Sequence, residues 1–142
     1  MKRILVPLAL VIALAVPAPA AAATRSYSGD VGGAATLSFT LKKRQGKSTV
    51  KDFLFEQVPV QCAAGANTTS GHLTFGMKVE GKKFGAKAED GAGSELQVDG
   101  KLKQQGKQAR GTLRVHGAVP TDDGGRGTNC DTGVLHWNAA RD

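Results

Sequence analysis

From Ala35 to Lys42 the chain reads A-T-L-S-F-T-L-K, with Ala35, Leu37, Phe39 and Leu41 alternating with Thr36, Ser38, Thr40 and Lys42. A period of two places one set of side chains on a dry face and the other in water, which is the pattern of a half-buried strand. The same alternation returns at Leu73, Met77 and Val79, with Phe75 in the same phase. It continues at Phe84, Ala86 and Ala88, at Leu96, Val98 and Leu102, at Ala109, Leu113, Val115 and Val119, and at Leu135, Trp137 and Ala139. Beyond residue 23, no window of eleven residues keeps apolar side chains at helical spacing. All 19 glycines also lie in that part, where they weaken any helix interior.

Within residues 50–62, VKDFLFEQVPVQC, Phe53 and Phe55 share one phase while Val58, Val60 and Cys62 share the other. A bulge near Glu56 or Gln57 brings both sets to the core, and Pro59 then requires an edge or an irregular position. Residues 63–70, AAGANTTS, read as a loop by composition, and EGKK reads as the turn of a hairpin joining the runs around Leu73–Val79 and Phe84–Ala88. With a short strand around Tyr27, these runs predict an all-β fold. It is a single antiparallel domain of seven or eight short strands, as a β-sandwich or a small β-barrel, with nearest-neighbour pairing.

The first 23 residues have a different character. Lys2 and Arg3 precede an apolar run over residues 4–16, which Pro17 and Pro19 end before a string of alanines. This order predicts a signal peptide over residues 1–23, cleaved after Ala23, and a single β domain over residues 24–142. The apolar run is too short for a retained membrane span, so the expected location is secreted, extracellular or periplasmic. Removing Lys2 and Arg3 from the 19 basic residues leaves 17 against 12 acidic, a formal charge of +5.

Cys62 and Cys130 are the only cysteines. In an oxidising compartment they are expected to form one intramolecular disulfide, and neither sits in a C-x-x-C or Cys/His pattern that a metal or redox pair needs. The bridge compensates for a core drawn from few apolar residues.

The chemistry of catalysis is not written here. His72, His116 and His136 each fall in the polar phase of a strand, which predicts exposure, and no serine sits in a nucleophile elbow. Asp122, Asp123 and Asp131 lie in a glycine-rich segment that lacks the order of a calcium loop. The expectation is therefore no enzyme, no cofactor and no metal. Basic residues, in contrast, gather at turns: Lys42, Lys43 and Arg44 with Lys47, then Lys82 and Lys83, then Lys101 and Lys103 with Lys107. If alternate hairpin tips share one end of the domain, they form a cationic rim for an anionic cell-envelope polymer. Exposed aromatics for base stacking are scarce, which argues against specific nucleic-acid recognition.

Tyr27-x-Gly29, VKDFLFEQVPVQC, ARGTLRV and CDTGVLHWNA, with Cys62, Gly111-Thr112-Leu113 and Cys130-x-x-Gly133-x-x-x-Trp137-x-Ala139, together resemble a family of small exported bacterial all-β domains, of actinobacterial type and unknown function. The resemblance implies the all-β fold and the disulfide and adds no mechanism. The resulting expectation is a secreted non-catalytic β domain that binds a macromolecule or cell-surface polymer. The alternatives are a secreted inhibitor of lysozyme or a protease, acting through residues 63–70 or 121–129, and a small-ligand carrier.

Overall fold

In a computed structural model, which describes residues 15–18 and 22–142, the chain is built of strands. The expected signal peptide falls largely outside the described residues. Ten strands follow in order: β1 (Ala23–Val31), β2 (Ala35–Arg44), β3 (Lys47–Cys62), β4 (Gly65–Leu73), β5 (Met77–Lys78), β6 (Lys83–Glu89), β7 (Ser94–Lys103), β8 (Gln108–Gly117), β9 (Cys130–Asp131) and β10 (Leu135–Arg141). One 3-10 turn, Gln104–Gly106, joins β7 to β8.

All pairings are antiparallel, and the strands β10, β1, β2, β3, β9 and β8 form a ring because β8 also pairs with β10. Of the two architectures left open by the sequence, the molecule is thus a closed six-stranded barrel. β7 and β6 extend from β8, while β4 and β5 extend from β3. Closure removes the edges of the ring strands, which are the part of a sheet most open to aggregation.

The bulge expected in β3 is present. Register shifts between Phe55 and Val58, Gln57 adopts a φ of 58°, and Phe53, Phe55, Val58, Val60 and Cys62 are all buried. Pro59 sits exposed beyond Glu56, where the pairing with β2 ends, so its missing N–H costs no ladder bond on that side.

Three expectations need correction. Ten strands replace seven or eight, partly because β5 and β9 are two-residue strands too short to show a period. Of residues 63–70 only Ala63 and Ala64 form a turn, and the rest is strand: β4 pairs with β3 from Cys62–Gly65 to Phe53–Leu73. Its inward positions are Asn67, Thr69 and Gly71 before Leu73, so a polar set occupies the dry phase; Thr69 is nevertheless buried, its hydroxyl donating to the Pro120 carbonyl at 2.7 Å. The hairpin expected between residues 71–79 and 84–88 shrinks to one Glu80–Lys83 bridge, since β4 and β5 pair with β3 and β6 pairs with β7. The break after Leu73 also turns Phe75 outward, 46% exposed.

The barrel interior is aromatic. Tyr27 stacks on Phe39 with centroids 4.7 Å apart, Phe39 lies 5.9 Å from Phe53, and Trp137 meets Phe39, Phe53 and Phe84 at 5.9–6.1 Å. Trp137 Nε1 donates to the Thr112 carbonyl at 3.1 Å, so its one polar atom is satisfied in the core. Gly29 and Gly111 explain two of the sequence motifs: a Cβ on Gly29 would overlap the Asn138 carbonyl, and one on Gly111 the Asp99 carbonyl. Both are places where neighbouring backbones approach too closely for a side chain. Cys62 and Cys130 form the disulfide, joining the end of β3 to β9.

Candidate functional site: the cationic end of the barrel

Antiparallel order puts the β2–β3, β5–β6 and β7–β8 connections at one end of the barrel. Hydrogen bonds tie these connections to one another and to β1 and β10, and Val79 N donates to the Ser48 carbonyl at 2.9 Å beside the β2–β3 turn. Leu102 N donates to the Lys82 carbonyl at 2.8 Å, and the Tyr27 hydroxyl donates to the Gly106 carbonyl at 2.5 Å. Arg141 N donates to the Lys107 carbonyl at 2.9 Å. A cavity of about 210 Å³ at the barrel mouth is lined by Arg25, Leu41, Lys43, Ser48, Lys82 and Leu102. The turn-borne cations expected from the sequence therefore share one end, but they divide into three groups.

Lys43 and Lys82 line the mouth with Arg25. Lys42 and Arg44 lie exposed at the end of β2, where Arg44 is the register partner of Lys47. The third group is the densest: Lys83 on β6 faces Lys101 on β7, and Lys101 faces Arg110 on β8. Lys103 lies one outward position further along β7. Directly opposed side chains on paired strands have Cβ atoms about 5 Å apart, and like charges there repel. The Lys103 ammonium registers this: Lys101 above all, then Arg110, with Lys82 further off, pushes its pKa below the usual lysine value.

Among the described residues no carboxylate lies within ion-pair distance of these cations, although Asp99 occupies the next outward position on β7. The six ion pairs among the described residues involve none of Arg25, Lys42, Lys43, Arg44, Lys82, Lys83, Lys101, Lys103 or Arg110. Four of the six lie elsewhere on β7 and β8 or in the loops beyond them. Beside the cations, on the outer face of the sheet, a groove of about 570 Å³ is lined by Ser28, Asp30, Lys103, Gln108, Arg110 and Asn138, among others.

The opposite end is pinned. Asp123 accepts from the Thr121 hydroxyl at 2.6 Å, Asn67 Nδ2 at 2.9 Å and Gly125 N at 3.1 Å, which together hold its carboxyl below the usual carboxylate range, Thr121 most strongly. Asp90 is lowered first by the Ser94 and Ala92 N–H groups and then by Arg126, whose guanidinium also donates to the Ala118 carbonyl. Arg114 forks onto Asp131 at 2.6 and 3.1 Å, lowering that carboxyl and raising the guanidinium. Glu95 holds Lys87 at 3.0 Å and His116 at 3.2 Å.

His116 is accordingly half-buried and partnered rather than exposed as its phase implied; His72 and His136 are exposed. Among the described residues no group of three or more His, Cys, Asp or Glu side chains is arranged to hold a metal, and no helix is long and apolar enough to cross a membrane.

Sequence reasoning missed Arg25, Arg110, Gln108 and Asn138. Arg110 was within reach: counting outward from the turn KQQGKQ places Lys103 opposite Gln108 and Lys101 opposite Arg110, as observed. Asn138 was not, because its position depends on the β8–β10 pairing that closes the barrel. Comparison of the chain with protein-family models, curated proteins and solved structures gives no match.

Proposed function

We propose that this chain is an exported, non-catalytic β-barrel domain that binds an anionic macromolecule or cell-surface polymer at its cationic end. The observation that carries the reading is the Lys83–Lys101–Arg110 row, three cations opposed on adjacent strands with no carboxylate in ion-pair reach among the described residues. Like charges so placed oppose folding, whereas a bound polyanion would relieve them and release its own counterions. A field of one sign also draws anionic partners toward that end.

Export follows from the leader-like residues 1–23, and a Cys62–Cys130 disulfide is consistent with an extracellular or periplasmic location. The likeness of the glycine, cysteine and tryptophan motifs to small exported bacterial domains belongs to the same proposal. Intact mass of the exported protein is expected to match a chain beginning at Thr24 and lacking two hydrogens; two free thiols would count against the placement. The aromatic cluster inside the barrel is the reason an interior ligand is left out of the proposal.

The test is retention of the purified protein on immobilised anionic envelope polymers. Strong retention at low salt is expected, with release as ionic strength rises. The Lys82→Glu, Lys101→Glu, Lys103→Glu triple variant should melt as a folded protein and pass through unretained. Retention indifferent to salt, or unchanged in the triple variant, overturns the reading.

One further observation favours the inhibitor reading as a second possibility. Residues 121–129 are held by Asp123, Arg126 and the adjacent disulfide, and a loop ordered before binding loses little entropy on docking into an enzyme cleft. Residues 63–70 no longer belong to it, being mostly strand. Full activity of a panel of lysozymes and secreted proteases at micromolar concentrations of the protein would exclude it.

A further inference from the structure

The groove on the outer face is asymmetric across the sheet. In one row, Lys83, Lys101, Arg110, Asn138 and Asp30 are successive register partners on β6, β7, β8, β10 and β1. In the next row, Lys103, Gln108, Ala140 and Ser28 follow one another on β7, β8, β10 and β1. Four strand spacings make the first row about 19 Å long. Its β6–β8 half is cationic, with Arg110 and, in the next row, Lys103 lining the groove and Lys83 and Lys101 flanking it. Its β10–β1 half carries an amide and a carboxylate, with Gln108 beside them and Ser28 donating its hydroxyl to Asp142 at 2.5 Å.

We propose that this groove is a subsite for an anionic polysaccharide, with sugar carboxylates on the cationic half and hydroxyls on Asn138, Gln108 and Asp30. The inference rests on the cationic-end reading and narrows it from polyanions in general to hydroxyl-bearing, carboxylated glycans. Three chemical features support it. The Arg110 guanidinium presents paired donors that match a carboxylate as a fork. Side-chain amides both donate and accept, which suits a sugar hydroxyl that does the same. Asp30, which only accepts when ionised, binds a hydroxyl donor but repels a phosphate or sulfate. A polymer charged at every repeat and lacking hydroxyls, such as inorganic polyphosphate, would meet Asp30 and leave the amides without partners.

The experiment measures binding of the disulfide-bonded protein to polygalacturonate and, at the same salt concentration, to inorganic polyphosphate. Polygalacturonate is expected to bind more tightly. The paired variant Gln108→Ala, Asn138→Ala should weaken polygalacturonate binding about three- to tenfold and change polyphosphate binding by less than about twofold. Asp30→Asn should improve polyphosphate binding and not polygalacturonate binding. Both amides are exposed, and unchanged melting temperatures separate a lost contact from a lost fold.

If polyphosphate binds as tightly as the glycan, or the amide variant loses both or neither, the glycan assignment is overturned while the cationic reading stands. If neither polymer binds in a salt-sensitive way, the cationic reading fails and takes the subsite with it.

Discussion

Strands β7 and β8 run side by side for ten residue pairs, yet their two halves treat charge in opposite ways. Toward the β6–β7 turn, Glu95 takes Lys87 and His116, and Arg114 forks onto Asp131. Toward the β7–β8 turn, Lys101 faces Lys83 on one side and Arg110 on the other. The backbone ladder is the same in both halves, so sheet formation did not impose the difference. At the paired end, side chains offset each other's charge and tie down the loops around the disulfide. At the other end, repulsion is left standing, which is intelligible when the compensating charge comes from another molecule.

The disulfide gives the largest way to test whether the two ends are independent. Cys62 and Cys130 close a loop with a sequence separation of 68, and on the chain-entropy account that cross-link stabilises by about 4 kcal/mol. Cys130→Ser should lower unfolding stability by that order in a denaturant titration. At temperatures where the variant remains folded, retention on polyanions should be as salt-sensitive as in the parent. A folded variant that no longer binds would mean that the pinned end holds the cationic end in shape, and the contrast between them would lose its meaning.

Acid offers the next test, because the carboxyls held below their ordinary range lie at the pinned end. Asp131, Asp90 and Asp123 have folded-state pKa values below their ordinary 3.8, held there chiefly by Arg114, by the Ser94 N–H and by the Thr121 hydroxyl. A carboxyl with a depressed folded-state value contributes stability that is fully present above its unfolded value. That contribution is lost as pH falls from 3.8 through the lower folded-state value. Asp131→Asn should therefore reduce the melting temperature by a few degrees near neutrality, less than loss of the disulfide, and match the parent once acid has protonated Asp131. A constant difference between parent and variant across that range would place the effect in packing rather than in the Arg114 pair. Being exposed pairs, both effects should shrink in high salt.

How much of this contrast was written in the sequence differs from strand to strand. β2, β7 and β8 were legible because a hydrophobic set alternates with a polar one, and the β3 bulge because two apolar phases meet at Gln57. β4 was hidden because Asn67, Thr69 and Gly71 fill its inward phase, a polar choice made workable by the bond from Thr69 to Pro120. Phe75 misled because apolar character persists where the strand has already broken. The cations at the turns were visible one hairpin at a time. The Lys83–Lys101–Arg110 row follows from two sequential hairpins, whereas its neighbourhood with β1 was not legible, because that depends on β1 and β8 both pairing with β10, contacts between residues far apart in the chain. The same closure brings Asn138 beside Arg110, so the polar half of the groove had no local signal.

The smallest predicted effect bears most directly on the contrast, because its sign differs between the ends. Lys101→Gln removes the central cation of the row, and in low salt it should raise stability by about 0.3 kcal/mol, the usual scale of one opposed pair on a sheet. Most surface substitutions at partnered positions do the reverse, and Asp131→Asn at the pinned end is the matched example. Alkali should tell the same story: a lysine whose folded-state pKa is depressed opposes folding while charged, and that opposition is relieved as pH rises through the folded value toward 10.5. Replacing Lys103 with Gln should remove this alkaline gain, and added salt should diminish the Lys101→Gln gain by screening the repulsion. Paired denaturant titrations at low and high salt measure these differences. Should Lys101→Gln destabilise the protein at low salt, the row would be part of what holds the barrel together, and its cations would no longer call for an external anion.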